Sequence, residues 1–221
     1  MAISPWLRAA AEPDEFDLTH CTVITAEGAS ARERKAATVL AEEVVKRSQL
    51  RWPVQGKPPG GGATIYLATR SSSRKLGPRM SAALHAGERL SADGFSIASG
   101  SDANERWISI VGADERGLLF GVGKLLRTAT FGKQAAAVNT SLLNGATAPK
   151  YPLRGHQLGY RPKTNAYDAW DVATWDQYIR DLAMFGTNAI ELMPPRTDDA
   201  ADSPHFPVPA EQMMIEMSRI C

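Results

Sequence analysis

The side chains equipped for chemistry gather in the last third of the chain. Glu191 closes a short apolar run, Ala189-Ile190-Glu191, and the loop that follows, Met193-Pro-Pro-Arg-Thr-Asp-Asp199, carries Asp198 and Asp199. Carboxylates accept hydrogen bonds from hydroxyl groups and, suitably placed, exchange protons with them. Upstream, Arg154 and His156 alternate in Tyr151-Pro-Leu-Arg-Gly-His-Gln-Leu-Gly-Tyr160, so they share one face of a strand. Tyr160, Tyr167 and Trp170 come next, where rings offer a stacking platform. Each group also has a plainer reading. Arg154 and Glu191 would form a structural ion pair or anchor a loop, Asp198 and Asp199 would be solvated, and His156 would be a hydrogen-bonded core histidine.

Other chemistries find little support. Net charge is +1, from 25 basic and 24 acidic residues, so no strong field draws nucleic acid or an acidic membrane. His20, His85, His156 and His205 are scattered, and Cys21 and Cys221 make neither a zinc pattern nor a disulfide framework. Gly60-Gly-Gly62 lacks the Gly-Lys-Ser/Thr ending of a phosphate loop, and Arg70-Ser-Ser-Ser-Arg-Lys75 reads as a solvated loop. No metal or organic cofactor is implied. No run approaches the ~20 apolar residues of a membrane span. Met1 to Leu18 carries four acids and no apolar core of signal-peptide length, which argues for a cytoplasmic protein, or an extracytoplasmic one if a signal has been removed.

The elements that must position these residues read clearly. Asp171 caps a helix whose stripe is Trp175, Tyr178, Ile179, Leu182 and Phe185, and Gly186 suits its left-handed stop. Asn188 to Leu192 enters a strand at once. Strand, helix, strand is how a (β/α)₈ barrel begins. Ile190 and Leu192 would then face the helix and Glu191 would point inward, near the mouth. Pro209 opens a further helix with Met213, Met214, Met217 and Ile220 on one side. A full barrel takes roughly 250 residues, so residues 149–221 read as an incomplete one. The apolar stripe of the last helix predicts self-association.

Residues 1–148 read as a separate α+β domain, with helices over a mixed or mostly antiparallel sheet. Ser30 and Glu33 have capping-box spacing at the start of a helix that runs to Ser48, with Ala37, Leu40, Ala41 and Val44 on its buried face. Short strands are predicted at 22–25 and 52–55, half-buried ones at 64–69, 94–99 and 106–111. The last two form a hairpin across Gly100-Ser-Asp-Ala-Asn-Glu. Asp114 caps a second helix with Leu118, Val122, Leu125 and Leu126 inward. Its glycines each cost about 1 kcal/mol against alanine, and they permit close backbone approach. Ala146-Thr-Ala-Pro149 reads as the link to the barrel.

Three stretches together resemble a known arrangement. They are the glycine-rich helix Asp114-Glu-Arg-Gly-Leu-Leu-Phe-Gly-Val-Gly-Lys-Leu-Leu-Arg127, the strand opening Pro152-Leu-Arg154-Gly155, and Met184-Phe-Gly-Thr-Asn-Ala-Ile-Glu191. They are similar to glycoside hydrolases in which an α+β domain precedes the barrel: β-hexosaminidases of family 20, N-acetylglucosaminidases of family 84, and α-glucuronidases of families 67 and 115. The loop Met193–Asp199 is closer to family 84, while family 20 favours histidines there. The resemblance implies hydrolysis of O-glycosidic bonds in oligosaccharides or glycans, with a carbohydrate as partner. It implies a sugar-gripping role for Arg154, whose guanidinium offers several fixed donors, and sugar contacts from Glu191, Asp198 and Asp199. The main acids of these families stand on later barrel strands, so no catalytic residue is assigned and this stretch alone is expected to be inactive. A noncatalytic carbohydrate-binding or scaffold protein is the alternative.

Overall fold

A computed structural model describes residues 14–102, 105–157, 166–191, 200 and 202–221. Its contacts divide the chain into two compact units, Met1–Lys150 and Tyr151–Cys221. Among the described residues no helix is long and apolar enough to cross a membrane.

The first unit runs β1 (Glu15–Asp17), β2 (Cys21–Thr25), α1 (Ala31–Ser48), β3 (Val54–Gln55) and β4 (Gly62–Thr69). Two 3₁₀ turns and α2 (Ser81–Ala86) lead to β5 (Phe95–Ser101), β6 (Glu105–Gly112) and α3 (Glu115–Thr128). Then come β7 (Thr130–Gly132), β8 (Ala135–Asn139), α4 (Thr140–Leu143) and β9 (Gly145–Thr147). Six strands form one sheet in the order β3-β2-β4-β6-β5-β9. The β3, β2, β4 and β6 neighbours are parallel, and β5 runs antiparallel to β6 and β9. The mixed sheet and the β5–β6 hairpin match the sequence expectation.

Strand β4 does not. Its alternation predicts a half-buried strand, yet every residue from Ala63 to Thr69 is buried. Tyr66 and Ala68 pack with Ile24, Val111, Met80 and Ala83 on the α2 side. Leu67 pairs with Ile110, whose face receives α3 at Gly121. A strand covered on both faces needs no polar side; Thr64 is buried within it, and Thr69 ends it with its hydroxyl donated to Glu33. Fully burying one side chain such as Ile65 or Leu67 contributes about 1.5–3 kcal/mol. The expected link is also corrected in part. Ala146 and Thr147 pair with Ser96 and Phe95, so β9 covers an edge that β5 would otherwise expose. Segment 129–145 has no element assigned from the sequence. It forms β7 and β8, which join β1 in a small antiparallel sheet.

Both predicted caps form. At α1, Ser30 Oγ accepts from Glu33 N at 3.1 Å and Glu33 Oε2 accepts from Ser30 N at 2.7 Å. At α3, Asp114 Oδ1 accepts from Gly117 N and Oδ2 from Asp93 N, both at 2.8 Å. That second bond docks the Asp93-Gly94 turn onto the helix. A Cβ on Gly117 would run into the backbone carbonyl of Gly94. This is the close approach that the glycines permit.

The second unit contains β10 (Gly155–Gln157), α5 (Val172–Met184), β11 (Ala189–Glu191) and α6 (Ala210–Ile220). β10 and β11 are parallel, with Gly155 opposite Ala189, His156 opposite Ile190 and Gln157 opposite Glu191. Asp171 caps α5 through Thr174 N at 2.8 Å, and Gly186 takes φ +97° just past its end. Two expectations are corrected. Phe185 lies beyond the last helical turn and is 72% exposed, with Met184 in the buried place. The α6 stripe is not left open: Met213 and Met217 are buried against Trp175 and Ile179. Met214, one residue around the helix, is 38% exposed.

Two outcomes test this fold. Gly117→Ala should lower stability by about 1–2 kcal/mol in urea unfolding, because overpacking against fixed backbone exceeds the gain in helix propensity. A stabilised variant would contradict the close approach. Asp114→Ala should cost about 1 kcal/mol through the lost cap and should speed amide exchange at Asp93 and Gly117. Unchanged exchange at both would show that the cap does not hold the turn.

Candidate functional site

In open α/β sheets, ligands bind in crevices at the carboxyl ends of parallel strands. The first unit has such an end, where β2 and β4 finish, and its own chain fills it. Glu33 Oε1 accepts from Thr69 N at 2.9 Å and Thr69 Oγ1 at 2.8 Å, and also from Ser72 Oγ. With Ser30 N on its other oxygen, this carboxylate bridges the start of α1 to the end of β4. Burial alone would raise its pKa. The donors from Ser72, Thr69 and Ser30 outweigh that and hold it below the ordinary carboxylate range. The sequence signalled only the cap. The long-range half of the network had no local signature. The neighbouring run read as solvated is instead partly buried, with Ser72 and Ser73 inside and Arg70 donating to Gly87 O at 2.7 Å.

The second unit differs. Alternation about the β10–β11 pair gives it two distinct faces. His156 and Ile190 look towards the helices. His156 Nε2 lies 2.7 Å from Tyr178 Oη, and the two rings meet edge to face at 5.7 Å between centroids. Ile190 packs on the Trp175–Met213 cluster. His156 is therefore the hydrogen-bonded core residue of the plainer reading. Burial, reinforced by Tyr167, raises the pKa of Tyr178 and keeps its hydroxyl protonated. Trp170 sits 4.9 Å from Tyr167, 5.1 Å from Trp175 and 5.0 Å from Tyr178 between ring centroids, so these rings pack on one another. Tyr160 lies outside the described residues.

Gln157 and Glu191 share the opposite face, adjacent in register and both exposed. An amide and a carboxylate side by side there offer two acceptors and a donor to hydroxyl groups. Asp198 and Asp199 lie outside the described residues. Arg154 stands just before β10, at the other end of the strand pair from Glu191. Its Nε donates to Gly186 O at 2.8 Å and its Nη1 to Tyr151 O at 2.9 Å. Asn188 completes a latch that sequence reasoning missed. Its Oδ1 accepts from Arg154 N at 2.9 Å, its Nδ2 donates to Pro152 O at 2.8 Å, and its own N–H donates to Arg154 O at 3.1 Å. These bonds fix where the two strands start, and so fix the register that sets Gln157 beside Glu191. Among the described residues no His, Cys, Asp and Glu side chains converge as a metal site.

No family model matches this sequence, and no curated protein matches it. Its fold does match solved structures. One is the GH20 exo-β-N-acetylglucosaminidase of Vibrio harveyi in complex with N-acetylglucosamine: TM-score 0.53, 14% identity, covering 82% of this chain and 23% of that one. Another is the Streptomyces plicatus N-acetyl-β-hexosaminidase in complex with thio-NAglucal: TM-score 0.52, 18% identity, 81% and 31% covered. A third is a GH115 4-O-methyl-α-glucuronidase with specificity for decorated arabinogalactans: TM-score 0.52, 15% identity, 91% and 28% covered. The chain thus has a glycosidase-like fold, and it spans only 23% to 31% of the length of these proteins.

Asn188→Ala removes two side-chain hydrogen bonds of the latch. It should cost about 1–3 kcal/mol and speed amide exchange at Arg154 while leaving the first unit's amides unchanged. Protection at Arg154 equal to wild type would show that the latch does not set the register.

Proposed function

We propose that this chain belongs to a glycoside hydrolase that cleaves O-glycosidic bonds in oligosaccharides or glycans. In this reading Met1–Lys150 is the α+β domain that precedes the barrel, and Tyr151–Cys221 supplies the barrel's first strand-helix-strand segment. The parallel β10–α5–β11 unit directly after an α/β domain carries the reading. Support comes from glycosidase structures that align over more than the first unit alone, since 82% of the 221 residues exceeds the 150 of that unit.

The same reading assigns roles by place. Glu191 stands at the carboxyl end of β11, and Asp198 and Asp199 belong to the loop that follows. Barrel sites are built from that end of the strands, so these three are the proposed sugar contacts, with Gln157 beside Glu191. Arg154 takes the part of a positioning residue, because its guanidinium is committed to backbone carbonyls at the opposite end. Glycoside hydrolysis needs a carboxyl pair, or one carboxyl with the substrate's own acetamide. The reading places that pair on other strands of the enzyme and none of it in Tyr151–Cys221.

The 221-residue chain should therefore bind neutral oligosaccharides without releasing the aglycone of aryl glycosides. Glu191→Ala should weaken that binding about tenfold, equivalent to roughly 1.4 kcal/mol, at unchanged Tm. Calorimetry and a chromogenic assay read both. Turnover by the chain would overturn the placement of the acids, and failure to bind any glycan would overturn the function.

A further inference from the structure

The first unit carries a cleft that the barrel-centred reading does not use. It encloses about 570 Å³, within the span of small-molecule sites, about 300–1,000 Å³. One wall is the turn after β4, with Ser71 and Arg74. The other is α2 and the residues after it, with Ser81, Leu84, His85 and Glu88. The walls are held to each other. Arg70 leaves the first wall and donates to the carbonyls of Gly87 at 2.7 Å and Leu90 at 3.1 Å in the second. The cleft is thus shaped before any ligand arrives, which lowers the entropic cost of binding.

Its chemistry is selective. Arg74, His85 and Glu88 are exposed, and among the described residues their side chains make no hydrogen bond or ion pair. Arg74 offers a fixed fork of donors suited to an oxyanion. Glu88 offers acceptors only. Ser71 and Ser81 serve as either, and Leu84 adds an apolar surface to the lining. A bare phosphate would satisfy Arg74 and meet the like charge of Glu88. A neutral sugar would satisfy Glu88 and leave the guanidinium without its carboxylate. A ligand that carries a carboxylate, several hydroxyls and an apolar C–H face matches Arg74, Glu88, the two serines and Leu84 together.

We propose that this cleft is a noncatalytic site for a sugar acid of the hexuronate type. Arg74 takes the carboxylate, Glu88 with Ser71 and Ser81 takes the ring hydroxyls, and Leu84 lies against the C–H face. The site belongs to the first unit and stands apart from the proposed sugar contacts at Glu191.

Heteronuclear NMR titration of the 221-residue chain tests it, with D-glucuronate, D-glucose and inorganic phosphate as probes. Glucuronate should shift the amides of residues 70–74 and 84–88 saturably in the millimolar range, with glucose and phosphate each at least about fivefold weaker. Arg74→Gln should erase the preference for glucuronate over glucose, and Glu88→Gln should erase the preference over phosphate. Both positions are exposed, so both variants should keep the wild-type Tm and spectrum. Phosphate binding as tightly as glucuronate, no saturable shift with glucuronate, or shifts that survive both substitutions would each overturn the assignment. Because the amides near Glu191 report separately in the same spectra, failure here is distinguishable from failure of the glycosidase reading.

Discussion

Two neighbouring strands that run the same way cannot be joined by a tight turn. The chain must cross over one face of the pair, usually as a helix, and come back to its starting end. In the second unit that crossover includes α5, and its consequences reach every residue of functional interest. One face of β10–β11 is committed to the helix, so His156 and Ile190 are spent on Tyr178 and the Trp175 cluster. The other face keeps polar residues, and Gln157 and Glu191 meet there in register. Both strands must also start together, and Asn188 with Arg154 ties those starts. A one-residue slip would exchange the two faces, setting Glu191 against apolar side chains and His156 away from its partner.

The first unit obeys the same constraint with a different outcome. β2 and β4 are parallel and end side by side, the usual place for a ligand crevice. Glu33 closes it. A carboxylate there needs several donors to offset burial, and Thr69, Ser72 and Ser30 supply them. Its depressed pKa means that the unfolded chain binds this proton more readily. The stability it contributes is complete above the ordinary carboxylate range and is lost as pH falls through the folded value. The cleft proposed to bind a sugar acid lies instead to one side, between the β4 turn and α2, where among the described residues Arg74, His85 and Glu88 make no side-chain hydrogen bond or ion pair.

Much of this was legible because it is local. The capping residues Ser30, Asp114 and Asp171, the stop at Gly186 and the helix stripes are written within a few residues of where they act. What failed was non-local. The alternation of β4 looked half-buried because nothing nearby says that a second layer covers its other face. Strands β7 to β9 are three to five residues long, and they exist through pairing: β8 with β1 and β7, β9 with β5. Phe185 fitted the helical period but falls where the helix has ended. Arg154 stands out through its resemblance to a sugar-gripping arginine, and its position before the strand brings its Nε and Nη1 to backbone carbonyls. Asn188 was passed over because its task, holding the chain 34 residues back, leaves no mark in its own neighbourhood.

The most direct measurement is a crystallographic difference map of the protein soaked with a neutral oligosaccharide. The account predicts sugar density on the β10–β11 face turned away from α5, with a hydroxyl in hydrogen-bond reach of Glu191. Density on the His156 side of that pair, or ordered sugar found only in the first unit, would contradict it.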